Sequence, residues 1–487
     1  MAACFPRHPI TWIFVMPCSL RIALTIFAAA LVLPASAAQI TVPPSARSDL
    51  SVTVYNGDLA LVRDARSIIA PKGESDLAFA GVSAQLRPST ALFQPDMSGL
   101  TVSEQVFDFD VLSESSLLRA YEGRDVTVVR INPATGEEEE KRATVISVSN
   151  GVVLEMDGRI TTGIPGRLVF DSRPDSLRTQ PTLVASVTAA ADVRGGATLS
   201  YLTSGLNWSA DYVAELSEDG KTVDLSAWAT VSNTTGVDFP NTTLKLVAGD
   251  INLVAKGRGF EMEEMAVRSD MRMASMAPSV QQESLAAFHL YAIGRPVDLG
   301  DRQTKQLALL SASDVGVEED LLSIGDGFAV RSQIPGQVRT HNATRALVFT
   351  NSEDEGAGVP LPAGTVRVYG RDSTGTAQLL GEDRLDHTAV GAEARLTLGR
   401  DFDVTVERIQ REFLRASDRI AISAHQTTVR NAKNEPVTVR LTEPFQGDWE
   451  IIEESASHER VAGSPEWRLT VPPGGEAQLT YRVRLSF

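Results

Sequence analysis

The chain has 487 residues, 43% of them hydrophobic, and a formal charge of −17 at pH 7. Such an apolar composition excludes a disordered chain, and the length allows roughly three domains at about 150 residues each. The charge excludes a general nucleic-acid binder, because the summed field repels phosphate, and only two cysteines, Cys4 and Cys18, exclude a disulfide framework or zinc ribbon.

Residues 22–33, IALTIFAAALVL, are apolar apart from Thr25; Arg21 precedes them and Pro34-Ala35-Ser36-Ala37-Ala38 follows. A basic flank, a short apolar core and an Ala-x-Ala exit predict a secretory signal peptide over 1–38, cut after Ala37 or Ala38. The run is shorter than the ~20 residues a membrane-spanning helix needs. Met16 opens a signal of ordinary length, whereas Met1 makes it unusually long, so translation is expected to start at Met16. Pro17 sits where a lipoprotein signal needs a small residue before Cys18. Loss of the leader removes Arg7, Arg21 and both cysteines, which takes the charge from −17 to −19 and leaves no thiol.

From residue 39 onward, period-two alternation dominates. Residues 39–122 hold four strands (SVTVY, LALVRDARSI, SDLAFAG, TVSEQVFDFDV) and one short Ser-capped helix, SESSLLRAYEG. Residues 123–175 read as five short strands joined by tight turns, a small inserted barrel of the SH3-like sort. Over 176–254 the clearest unit is a hairpin about a two-residue turn, Asp219-Gly220. Its register sets Leu216 opposite Val223, Ala214 opposite Leu225, Tyr212 opposite Ala227 and Trp208 opposite Val231, one apolar face. Val213 and Trp228 interrupt the polar face; Trp228 is expected to be covered by another segment, the alternative being an exposed binding aromatic. Residues 255–284 show no alternation and read as a flexible Met-rich insertion. Residues 285–487 read as a C-terminal sandwich region. There QQESLAAFHLYAIG is ambiguous between helix and strand, 420–441 reads as a hairpin about Asn431-Ala432-Lys433-Asn434, and alternation runs on both sides of Pro472-Pro473-Gly474-Gly475. The predicted class is all-β: antiparallel β-sandwich units with a small inserted barrel and a flexible loop.

Several phrases then appear in order: LSYLTSGLNWSADY (199–212), VAGDINLV (247–254), FHLYAIGRPVDL (288–299), LPAGTVRVYG (361–370) and GEDRLDHTAVGAEARLTLGRDFDV (381–404). Over roughly 195–487 the chain resembles a bacterial family called domain of unknown function 4139, which also forms the C-terminal part of mucoidy-inhibitor-A-like proteins. The resemblance implies an exported β-sandwich protein and carries over no catalytic residues. The long coiled coil of the mucoidy-inhibitor-A-like proteins has no counterpart here.

Chemistry-bearing motifs are few. Gly220-Lys221-Thr222 lacks the first glycine of a phosphate loop, because position 215 is Glu, and the glycine pattern begun by Gly257 and Gly259 ends in Met262. Asp401 and Asp403, two apart on a predicted strand, are expected to share a face and are the candidate acid/base couple of a hydrolase. Asn351, Glu353, Asp354 and Glu355 offer hard oxygens for calcium, though a solvated turn explains them better. His289, His341, His387, His425 and His458 are scattered along the chain. Met262, Met265, Met271, Met273 and Met276 could bind Cu(I), or contact a partner or a membrane so that the protein associates with it, although a plain flexible loop accounts for them best. Alternation up to the terminal Phe487 raises an outer-membrane barrel as an alternative, against which the 6% aromatic content argues. No catalytic, cofactor-binding or metal site is assigned. The expected function is a non-catalytic binding or structural module for protein or glycan in the cell envelope, either periplasmic or secreted, with the hydrolase and the outer-membrane barrel as alternatives.

Overall fold

The computed structural model describes residues 38–486 apart from 109, 175, 250–280, 286–287, 328–331, 335–336 and 355. The leader with Cys4, Met16 and Cys18, the five loop methionines, Glu355 and Phe487 lie outside the described residues. Within them the protein is all-β, built from five sheets of four, five, eight, five and nine strands. Each sheet has unpaired end strands, the eight-stranded one also carrying Val297–Leu299 as a side branch, so among the described residues no closed sheet exists to form a transmembrane barrel. No described helix is long and apolar enough to cross a membrane.

Alternation builds these sheets because one face of each strand finds an apolar partner. The hairpin Leu206–Leu216 with Thr222–Asn233 has the expected register, Leu216 against Val223 through Trp208 against Val231, and all of these except Leu216 are buried. Its loop is longer than two residues. Only Gly220 takes a positive φ there, and Ser217 N–H donates to Thr222 O, so Glu218–Lys221 form the turn. Both loops share one centre, which is why the register is unaffected. Ser113 caps the helix Glu114–Ala120, its hydroxyl accepting from Ser116 N–H. The five strands of the inserted unit form one antiparallel sheet around Val126, Val128, Val145 and Leu154. Its end strands Arg159–Thr162 and Arg167–Val169 do not pair, so it curls without closing. The ambiguous segment forms strands Gln281–Leu285 and Phe288–Ala292, paired antiparallel, and the Met-rich insertion therefore ends before residue 281.

Two turns connect layers rather than neighbouring strands, and the first of them is the expected 420–441 hairpin. Ile420–Asn431 pairs with Glu393–Ser417 and Glu476–Ser486, whereas Val437–Thr442 pairs with Glu318–Ile324 and Ser464–Val471. The strands on either side of 432–436 thus belong to opposite halves of the curled nine-stranded sheet. The same holds across Pro472–Gly475. Alternation and turn residues look alike in a hairpin and in such an arch; only the partner strands differ. Asn431 clamps both turns: its buried amide donates to Glu435 O at 2.7 Å and Pro472 O at 3.2 Å, and its Oδ1 accepts from Lys433 N–H. Asn233 closes an equivalent turn, donating to Val237 O and Leu299 O and accepting from Thr235. Asn431→Ala strands buried carbonyls and is expected to cost about 1–3 kcal/mol in a urea titration.

One apolar core runs between the eight-stranded sheet, the four-stranded sheet and the sheet holding the central hairpin, with Val52, Val62, Phe79, Tyr201 and Trp208 among its members. A second fills the curled nine-stranded sheet around Val406, Val439, Trp467 and Tyr481. Asp64 and Arg66 are both 0% exposed at the junction of the four- and eight-stranded sheets. Arg66 grips the Asp64 carboxylate at 2.6 and 3.1 Å and donates to Val42 O and Ala80 O across the junction. Arg47 reaches the same carboxylate at 3.0 Å.

Candidate functional site

The expected carboxylate couple does not form. The strand Glu393–Ser417 bulges where Thr405 pairs with Asn342 and Arg400 with Thr344, leaving 401–404 opposite a single residue. A bulge breaks the alternation that would hold residues two apart on one face. Asp401 turns inward, accepts from the N–H groups of Asp403 and Val404, and pairs with Lys433 at 2.7 Å. Asp403 is exposed, and Phe402 between them is 90% exposed. Among the described residues the calcium set does not assemble either. Asn351 is buried with its amide donating to Val359 O and Ala389 O, while Glu353 and Asp354 face solvent. Among the described residues no group of three acids or histidines could hold a metal.

The fold does bring two of the scattered histidines together. His341 and His425 line a cavity of about 130 Å³ inside the curled nine-stranded sheet, with Arg408, Ile409, Glu443 and Tyr481. Arg408 pairs with Glu443 at 2.7 Å and donates to Ser323 Oγ and to His341 Nε2. A guanidinium has only donors, so His341 Nε2 accepts and the ring proton sits on Nδ1. Burial and the Arg408 charge depress both histidines, His425 down to about 4, so both are neutral at pH 7. Two serine–histidine hydrogen bonds result, Ser323–His341 at 2.8 Å and Ser423–His425 at 2.7 Å. They resemble nucleophile–base pairs, but Ser323 and Ser423 are 2% and 0% exposed, sealed from any substrate. Strand alternation was the signal available for this cluster: Ala421, Ser423, His425, Thr427 and Val429 share a face, with polar residues between apolar ends.

A second surface is open. Strand Thr222–Asn233 sits between Gln303–Gly316 and Leu206–Leu216, and Gly364–Arg371 and Ala377–Leu385 complete the sheet. Its inner face belongs to the large core. On its outer face Trp228 is 40% exposed, with exposed Ala308 on one side and Asp211 on the other. The expectation that another segment covers this ring therefore fails. Beside it a line of polar contacts crosses all five strands. Gln306 Nε2 donates to Thr230 Oγ1 at 3.3 Å, Thr230 Oγ1 donates to Asp211 at 2.6 Å, and Arg367 contacts Asp211 at 3.5 Å and Glu382 at 2.8 Å. Five strands at about 4.8 Å spacing make this line roughly 19 Å long. It is a strip of hydrogen-bonding groups beside an exposed indole, and its one hydroxyl–carboxylate pair, Thr230 and Asp211, is tied into the strip by Gln306 and Arg367.

No curated protein matches the chain. A family model described as Domain of unknown function (DUF4139) matches residues 197–487, from the strand Val193–Thr203 to the end of the curled nine-stranded sheet. With more than half of its length matched, the chain belongs to the DUF4139 family.

Proposed function

We propose that the protein is an exported, non-catalytic glycan-binding module of the cell envelope, and that the outer face around Trp228 holds the ligand. The observation that carries this is the 40% exposure of Trp228 beside a polar line spanning five strands. An aromatic ring presents an apolar face to the C–H side of a sugar ring, while Thr230, Asp211, Arg367 and Gln306 offer donors and acceptors to its hydroxyls. Covering the exposed part of the indole, about 100 Å², is worth roughly 2 kcal/mol. A protein partner would ask for a larger apolar centre, and Val213 is the one other large apolar side chain beside Trp228 in the register of this face. With a chain charge of −17, neutral glycans are favoured over acidic ones. Export rests on the sequence of residues 21–38.

Trp228→Ala tests the reading. It is expected to cost about 1 kcal/mol in a urea titration, since part of the ring is covered, and to weaken retention on neutral polysaccharide in affinity electrophoresis at least about tenfold. Equal retention of variant and wild type would refute the assignment, and loss of a protein partner instead would favour the protein ligand. N-terminal sequencing of the protein recovered from the envelope is expected to begin at Ala38 or Gln39.

A further inference from the structure

We infer that the cavity beside Arg408 is a second, separate binding site, made for an uncharged aromatic ring with one hydrogen-bonding substituent. The cavity is of the right size: about 130 Å³, against the roughly 150 Å³ of an apolar cavity that takes up benzene. Its wall is mixed. It holds the aliphatic chains of Ile324 and Ile409, and the rings of His425 and Tyr481 stack at 5.2 Å. Tyr481 and Thr427 also bring hydroxyl groups to the lining. Both residues are almost fully buried, at 4% and 1% exposure, and both line the cavity. Neither hydroxyl has a hydrogen-bond partner among the described residues, and neither oxygen is sealed, since the fully buried unpaired side-chain atoms are Asn56 Oδ1, Ser75 Oγ, Asn351 Oδ1 and Arg395 Nη2; both are left open to the space of the cavity.

The charge balance selects the ligand class. Arg408 is neutralised by Glu443, both histidines are uncharged at pH 7, and Arg339 pairs with Asp326. An ionic ligand would enter without a counter-charge to meet it, which is costly away from water. A neutral ring meets the aliphatic chains with its face and the hydroxyls with its substituent. Phenol is the simplest such molecule.

The test is isothermal titration of the full chain, freed of its leader, with phenol and with benzene. Saturable phenol binding at one site per chain is expected. Tyr481→Phe keeps the ring and the fold, and combined with Thr427→Val it should weaken phenol about tenfold while leaving benzene unchanged. Ile409→Phe, which fills the space, should abolish both. Absence of saturable phenol binding to the wild type would overturn the inference, as would phenol binding that survives the filled cavity. If both ligands weaken equally in the Tyr481→Phe, Thr427→Val protein, the hydroxyls do not select the substituent and the inference fails in its chemistry. Trp228→Ala should leave every titration unchanged, so the result stands or falls independently of the glycan face.

Discussion

Replacing Asp64 by alanine is expected to lower the stability of the protein by about 3–5 kcal/mol. The substitution leaves the Arg66 guanidinium with no exposure to water and no counter-charge. Arg66 cannot simply swing out, because its Nη1 holds Val42 O at 2.8 Å and Ala80 O at 2.7 Å, the carbonyls of two strands in the neighbouring sheet. It also lies over the Phe79 ring, 5.4 Å from its centroid. Arg47 would lose the same carboxylate but is partly exposed and can rehydrate. Removing both buried charges with Asp64→Leu and Arg66→Met should cost much less than Asp64→Ala alone, since no uncompensated ion remains. Urea midpoints of the three proteins check this. A loss below about 1 kcal/mol in Asp64→Ala would mean that water reaches Arg66.

The second large effect is on acid stability. His425 is held at about 4 in the folded protein, against 6.5 for a solvated imidazole, first by burial and then by the Arg408 charge. The unfolded chain therefore binds a proton between pH 6.5 and 4 that the folded protein refuses. Stability is fully present above pH 6.5 and falls as the pH drops toward 4, by about 3 kcal/mol from this one group. His341, depressed for the same reasons, acts in the same direction. His425→Gln cannot titrate, so its stability should fall less over this window than that of the wild type. Urea titrations at pH 7, 5.5 and 4 read the difference, and parallel curves for the two proteins would show that His425 is not buried as a neutral ring.

Local features of the fold were legible in the chain because local rules govern them. Period-two alternation placed the central hairpin to the residue, and Ser113 marked the start of its helix. What alternation does not encode is the partner strand. Asn431-Ala432-Lys433-Asn434 carries every mark of a hairpin turn, yet its two flanking strands pair with other strands and not with each other. Asp401 and Asp403 were misplaced by a bulge that depends on Asn342 in a neighbouring strand, whose amide holds Asp401 O at 2.6 Å. The exposure of Trp228 depended on whether any segment crosses the face, which is a property of the whole chain. The paired histidines were hidden for the same reason: His341 and His425 meet through strands that do not follow one another.

The pairing between distant strands also orders events in time. Ser51 lies beside Thr243 in one parallel pair and Leu321 beside Val439 in another. The hairpins can zip within microseconds as soon as they exist, but these parallel pairs must wait for the loops between them to close, and such non-local topology folds in milliseconds to seconds. Until residue 442 has emerged, the strand Glu318–Ile324 lacks its parallel neighbour. A chain halted short of that point would therefore carry unsatisfied strand edges, the form in which β proteins aggregate.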